Sequence, residues 1–418
     1  MDIMKKTEEM ARKAKLAASA MANLSTSLKN KALLAMAKAI QEKAEDIISK
    51  NRIDVKEAKE KGLAISLIDR LTVNDKRISN MSKGLREIAE LPDPVGEVIE
   101  HKVRPNGLRI DKVRVPLGVV AIIYESRPNV TCDAAGLCLK AGNAVILRGG
   151  SEAINSNMII AKVLQEAAYS SGIPQGAIQL VETTDREAVS QLVKMDGFID
   201  VVIPRGSEEM IKKIKANATV PVIGHGKGLC HIYVDKSADL RMAERICFNA
   251  KVQRPGVCNA METLLVHKDI AGEFLPGMIK KFEEAKVEIR GDEKTKSILS
   301  HVKSAREEDW STEYLDLILS VKVVDSLSEA IDHINKYGSM HSEAILARDK
   351  DAAQKFLKEV DASSVFWNAS TRFTDGGEFG MGAEIGISNQ KLHARGPMGV
   401  RELTSTKFVI YGDGQIRE

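Results

Sequence analysis

The chain has 418 residues, 44% of them hydrophobic, which is enough to bury a large core and too long for one compact pair of layers, so two or three domains are expected. Lys and Arg number 61 against 58 Asp and Glu, and the net charge of +3 is spread along helical patterns, which excludes the concentrated basic patch of a nucleic-acid-binding protein. Five cysteines (Cys132, Cys138, Cys230, Cys247, Cys258) are odd in number, widely spaced and free of CxxC pairs, so a disulfide framework and a metal site are both disfavoured and a reducing cytoplasm fits.

The first fifty residues resemble a transit peptide in their Lys, Ala and Ser content, yet Glu8, Glu9, Glu42 and Glu45 and an unbroken apolar spacing argue against one. Leu33, Leu34, Ala37, Ile40, Ala44, Ile47 and Ile48 recur at helical spacing, and the helical pattern runs on to about residue 90. Pro92, Asp93 and Pro94 break it. Residues 98–115 then read as a hairpin turning at Arg104-Pro105-Asn106-Gly107. Two strands cannot bury themselves, so this hairpin should project onto another domain or subunit.

From residue 115 short apolar runs alternate with helical spacing. Strands are expected at 119–124, 144–147, 178–181, 201–203 and 220–223, with helices at 134–140, 153–169, 186–195 and 207–216. Runs that are apolar on both faces imply a parallel sheet covered by helices, which binds ligands at the carboxyl ends of its strands. The glycine fingerprint of an ordinary dinucleotide domain is missing, and Lys212, Lys213 and Lys215 read as a solvated helix face. A second alternating unit begins near Gly228, with strands at 231–234, 263–266, 320–324, 343–347 and 364–367 and helices at 238–248, 274–283, 328–336 and 352–360. The tail alternates Leu403, Ser405, Lys407, Val409 and Tyr411, a strand that can extend the hairpin. No run approaches the roughly eighteen apolar residues of a membrane span, so no membrane association is expected.

Cys258 stands in Val252-Gln253-Arg254-Pro255-Gly256-Val257-Cys258-Asn259-Ala260, where proline and glycine hold a loop directly before the apolar run 263–266. A thiol on a rigid turn at a strand edge can meet an electrophile, and Arg254 is a cation favouring the thiolate. A buried structural cysteine is the competing reading.

The pieces together resemble the aldehyde dehydrogenase superfamily. The carriers are Val115-Pro116-Leu117-Gly118-Val119-Val120 leading to Arg127-Pro128-Asn129, the segment Ala141-Gly142-Asn143-Ala144-Val145-Ile146-Leu147-Arg148, and the cysteine tract. Three sharper tracts, from Ala330 to Ile345, from Asn368 to Asp375 and from Gln390 to Gly399, are similar to the γ-glutamyl phosphate reductases within it. The resemblance implies an α/β fold of two doubly wound domains plus a β-hairpin oligomerisation unit. Residues 1–95 and 116–227 would form the NADP-binding domain, 228–402 the catalytic domain, and 96–115 with 403–418 the oligomerisation hairpin and tail.

It also implies the chemistry: NADPH-dependent reduction of L-glutamyl 5-phosphate to L-glutamate 5-semialdehyde and phosphate, the second step from glutamate to proline. Cys258 would be the nucleophile and Asn129 the oxyanion donor, although Asn129 after Pro128 equally suits a turn. The tract Ile223-Gly224-His225-Gly226-Lys227-Gly228 lacks the glutamate base of the hydrolysing members, which disfavours the alternative of a general aldehyde dehydrogenase releasing a free acid. Arg148, Ser151 and Arg205 are expected to favour NADP over NAD, with Glu152 the competing determinant. Gly206 and Ser207 would open a helix near the pyrophosphate, and Glu313 would orient the nicotinamide ribose. Arg254, Arg372 and Arg395 are the candidates for the substrate's carboxylate and phosphate. His341, Ser342 and Glu343 read as structural hydrogen-bonders. A homo-oligomer is expected, and a glutamate kinase is the candidate partner supplying the acyl phosphate.

Overall fold

The strand Val119–Tyr124 is buried at every position, as an unbroken apolar run requires of a strand covered on both faces. In the computed structural model, which describes residues 3–224 and 226–417 and only the backbone at Ser66, it lies inside a four-stranded parallel sheet. The order is Ile178–Leu180, Ala144–Arg148, Val119–Tyr124, Val201–Arg205. Counted along the chain this is 3-2-1-4, so the winding reverses beside Val119–Tyr124, the place where such sheets open toward a ligand. The helices Ile3–Met21, Asn129–Lys140, Ile154–Ser170 and Glu208–Asn217 pack on the sheet. Buried Asp54 ties the N-terminal helices to it by accepting the N–H groups of Asn155 and Ser156 at 3.2 and 2.8 Å.

Two sequence expectations change here. The strand at 220–223 is reduced to one parallel bridge between Val202 and Val222, because Pro221 has no N–H to extend a ladder. The helix at 186–195 is shortened to Glu187–Leu192.

The hairpin forms from Val98–Val103 and Arg109–Pro116, and Thr404–Tyr411 pairs antiparallel with its second strand from Thr404 opposite Pro116 to Tyr411 opposite Arg109. Val98, Ile99, Val103, Phe408, Ile410 and Tyr411 stay exposed on these strands.

The second sheet has seven parallel strands in the order Lys303–Ser304, Glu288–Gly291, Ile318–Val324, Met261–His267, Cys230–Val234, Ser342–Leu346, Ser364–Trp367. Alternate residues face opposite layers. Ile232, Val234, Leu264 and Val266 pack with the helices Leu240–Val252 and Lys268–Glu284, whereas Tyr233, Leu265 and Ile345 pack with Leu327–Tyr337 and Lys350–Glu359. The short strands Glu288–Gly291 and Lys303–Ser304 were missed in the sequence because four and two residues hold too little of a period to read.

By compactness, one unit runs to Gly224 and takes in Gly380–Gly386 and the chain from Met398, while the other holds what lies between together with Ile387–Pro397. Thus Gly380–Gly386 and residues 398–402 fall outside the second unit, although they lie within the stretch 228–402. Among the described residues no helix is long and apolar enough to cross a membrane.

Candidate active site

Cys258 lies half-buried on the loop joining the helix Leu240–Val252 to the strand Met261–His267. The other four cysteines are buried, and burial raises the thiol pKa of each. The thiol therefore stands at the amino end of a strand, not at a carboxyl end. Gly228, just ahead of the strand Cys230–Val234, is packed on it so closely that an added Cβ would lie 2.5 Å from the Cys258 carbonyl oxygen and 2.6 Å from its Cα. Glycine is required at 228 by that approach alone. The Cys230 thiol donates to the Cys258 carbonyl at 3.1 Å, and the Gly228 N–H donates to Glu313 Oε1 at 3.0 Å. His225, in the same tract, lies outside the described residues.

The tract from Asn368 to Asp375 grips the residue after the thiol. Thr371 Oγ1 donates to the Asn259 carbonyl at 2.8 Å, Asn259 Nδ2 donates to the Thr374 carbonyl at 2.9 Å, and Arg372 donates to Asn259 Oδ1. Arg372 also donates from Nε to Gln253 Oε1 at 3.0 Å. Burial and the charge of Arg254 push the Arg372 pKa down, while the Cys258 sulfur draws it up, so the Arg372 guanidinium has both Arg254 and the thiol as electrostatic neighbours. Cations there favour a thiolate. Arg395 is placed elsewhere: its guanidinium pairs with Asp361 at 2.7 Å, and Lys391 holds the same carboxylate at 2.6 Å.

His341 and Glu343 sit beneath the loop. His341 Nδ1 lies 2.8 Å from Ser342 Oγ, which donates to Thr374 Oγ1 at 2.7 Å, and Glu343 accepts the His231 N–H at 2.6 Å. All are fully buried, which suits a rigid support.

The first unit carries a cavity of about 380 Å³ at the carboxyl ends of its parallel strands. Arg148, Ser151 and Ser207 line it, joined by Glu125, Glu152, Glu209 and three cations that sequence reasoning passed over: Arg186, Lys194 and Lys213. None of those three is ion-paired among the described residues. In the sequence Lys213 belongs to a plain solvated face, because a helix repeat does not reveal that one edge meets a cavity. Arg148 donates to the carbonyls of Gly149 and Thr184 at 3.0 and 3.2 Å, and its Nε is buried without a partner. Burial lowers its pKa. Glu152 Oε1 is held at 2.6 Å by both the N–H and the hydroxyl of Ser126, which takes that carboxylate into the wall.

Four more of the expected residues take the following places. The Ser207 N–H donates to Glu125 Oε2 at 2.7 Å, and Gly206 packs on the same carboxylate, so this helix start is satisfied by a side chain of the protein itself. Arg205 is absent from the cavity lining; its Nη1 would lie 2.5 Å from a Cβ added at Gly386. Asn129, the exposed first residue of the helix Asn129–Lys140, donates from Nδ2 to Asp133 Oδ2 at 3.0 Å, which uses one of two amide hydrogens. Burial pushes the Asp133 carboxyl up to about 6 against that donation.

The aldehyde dehydrogenase family model matches residues 4–316. A γ-glutamyl phosphate reductase of Caldanaerobacter subterraneus subsp. tengcongensis is 61% identical over 98% of this chain and 99% of its own length. The crystal structure of a γ-glutamyl phosphate reductase from Thermotoga maritima superposes with a TM-score of 0.97 at 51% identity, covering 99% of this chain and 100% of that one. A glyceraldehyde-3-phosphate dehydrogenase from Methanocaldococcus jannaschii, complexed with NADP, shares the fold at a TM-score of 0.70 and 19% identity over 98% of this chain and 95% of that one.

Proposed function

This chain belongs to the aldehyde dehydrogenase family and, within it, to the γ-glutamyl phosphate reductases, and on that footing we propose that it reduces L-glutamyl 5-phosphate to L-glutamate 5-semialdehyde and phosphate through a thioester on Cys258. The observation that carries the reading is the half-buried thiol on a pinned loop, with the Arg372 guanidinium as an electrostatic neighbour, in a chain of which a relative of that name covers 98%.

Cys258 attacks the acyl carbonyl carbon, the carbon–sulfur bond forms, and the bond to the phosphate oxygen breaks with its electron pair leaving on phosphate. No water needs activating, which agrees with the missing glutamate in the tract around Gly224. Arg254 and Arg372 are the cations available to the substrate's anionic groups, with Arg395 a weaker candidate because Asp361 already holds it. Asn129 is assigned as oxyanion donor from the sequence match, with the Cys258 N–H as the second donor.

The nicotinamide cofactor of the family suits the first unit, where a buried, unpartnered Arg148 Nε and three cations without an ion pair among the described residues border one cavity. When bound, it supplies the hydride. Arg148 and Ser151 are its proposed ribose-side contacts and Arg186, Lys194 and Lys213 the cations that favour the 2′-phosphate of NADP, while Glu313 is assigned to the nicotinamide ribose from the sequence resemblance alone. Introducing a carboxylate by Ser151→Glu should lower the preference for NADP over NAD by about 10–100-fold in kcat/KM through like-charge repulsion. An unchanged ratio would remove Ser151 from the specificity argument.

The exposed apolar side chains on the three-stranded sheet suit a homo-oligomer interface. Five cysteines, odd in number and without CxxC pairs, suit a cytoplasmic setting, and the lability of an acyl phosphate suits direct supply from a glutamate kinase. The reverse reaction tests the main reading: purified protein, semialdehyde and NADP should form NADPH at a rate that falls about 100-fold or more when phosphate is omitted. Turnover indifferent to phosphate would instead favour an aldehyde dehydrogenase releasing a free acid.

A further inference from the structure

Lys251, in the last turn of the helix Leu240–Val252, and Glu262, second in the strand Met261–His267, stand at the two ends of the Cys258 loop. Both side chains are fully buried, and Lys251 Nζ lies 2.6 Å from Glu262 Oε2. The other carboxylate oxygen, Oε1, accepts the Leu315 N–H at 3.0 Å. Leu315 has left-handed backbone, with φ at 54°, and the residue is 41% exposed. A leucine costs energy in that conformation and is not held there by burial of its side chain, so the hydrogen bond from its backbone is what secures the turn. Two residues earlier, Glu313 accepts the Gly228 N–H, and Gly228 is the residue packed on Cys258. The chain of contacts closes from the roots of the nucleophile loop, through Leu315, Glu313 and Gly228, back to the thiol.

We propose that Lys251 and Glu262 are positioning residues, a buried pair that holds the turn at 313–315 so that the Glu313 carboxylate and the Cys258 thiol keep a fixed relation. The inference rests on the reading of Cys258 as nucleophile. Burial opposes both charges, pushing the Glu262 carboxyl up to about 7 and the Lys251 ammonium down, and each is sustained by the other. Two apolar side chains would staple the helix to the strand with less desolvation. What they cannot do is accept the Leu315 N–H, and that acceptor is the feature the pair retains.

Two double variants separate positioning from stapling. Lys251→Met with Glu262→Gln removes the charges and keeps a carbonyl acceptor for Leu315; Lys251→Met with Glu262→Met removes the acceptor too. The rate of Cys258 alkylation by iodoacetamide against pH is read first, since it needs no turnover, and then kcat, KM and Tm. The Met/Met protein should lose about 10-fold or more in kcat and show an altered alkylation profile, whereas Met/Gln stays within about 3-fold of wild type in kcat. Leu315→Gly, which relaxes the left-handed turn, should restore much of the loss in the Met/Met background. Equal alkylation and kcat in the two doubles, or losses that merely follow Tm, would overturn the proposal. Should Met/Met fail to fold, Glu262→Asp takes its place, keeping the charge on a shorter arm; the same fall is expected, and unchanged rates overturn the idea. A wild-type protein that ignores phosphate overturns the reaction assigned above, while the alkylation comparison still decides the positioning role.

Discussion

Cys258→Ala should lower turnover by about 10⁴-fold or more, because no other group in the proposed chemistry can carry the acyl chain between phosphate and hydride donor. The fold should survive. Cys258 is half-buried, so deleting its sulfur opens little closed cavity, and Tm should stay close to the wild-type value. Cys230, the nearest neighbouring thiol, cannot substitute: it is fully buried, its hydrogen is committed to the Cys258 carbonyl, and burial holds its pKa well above the usual thiol range. Rates in the alanine variant within about tenfold of wild type would remove the nucleophile assignment altogether.

Gly228→Ala is expected to have the next largest effect, about 100-fold in kcat, by displacing the thiol rather than deleting it. The added methyl would meet the Cβ, Cα and carbonyl oxygen of Cys258, which are backbone or next to it and cannot rotate away. Either the loop shifts or the start of the strand Cys230–Val234 does, and in both cases the Gly228 N–H moves on Glu313. Overpacking of this kind costs about 1–3 kcal/mol of stability, a loss that Tm reads separately from kcat. Gly272→Ala is the control. It lies inside the helix Lys268–Glu284 with nothing within 4 Å of an added Cβ, so stability should hold or rise slightly. Comparable kcat in the two variants, measured beside Tm, would mean that the close approach of Gly228 to Cys258 has no bearing on turnover.

Several features were legible because they are local. The run at 119–124 is apolar throughout and became a strand buried at every position. Turn residues at 104–107 and the alternation at 403–411 became a hairpin and the strand that extends it. The Cys258 tract became a loop before a strand because Pro255 and Gly256 end the helix that precedes it. Arg395 and Arg205 were less legible, since an arginine looks the same in sequence whether it meets a ligand or a neighbouring carboxylate. Asp361 claims the first, and Gly386 packs on the second.

Sequence by itself determined the alternation of the longer strands and helices, the parallel character of both large sheets, the added tail strand and the cysteine's presentation on a turn, since each follows from periodicity and turn chemistry over a few neighbouring residues. Tertiary structure decided which charges surround that cysteine and which border the cavity. Lys251 and Glu262 lie in ordinary helix and strand patterns; only their burial against each other makes them a pair. Gly228 and Arg372 come to the Cys258 loop, and Leu315 to the strand that follows it, from distant places along the chain. The physical reason is that periodicity records how one segment meets its surroundings, whereas an ion pair or a shared hydrogen bond depends on which remote segments are brought within about 3 Å once the sheet has closed.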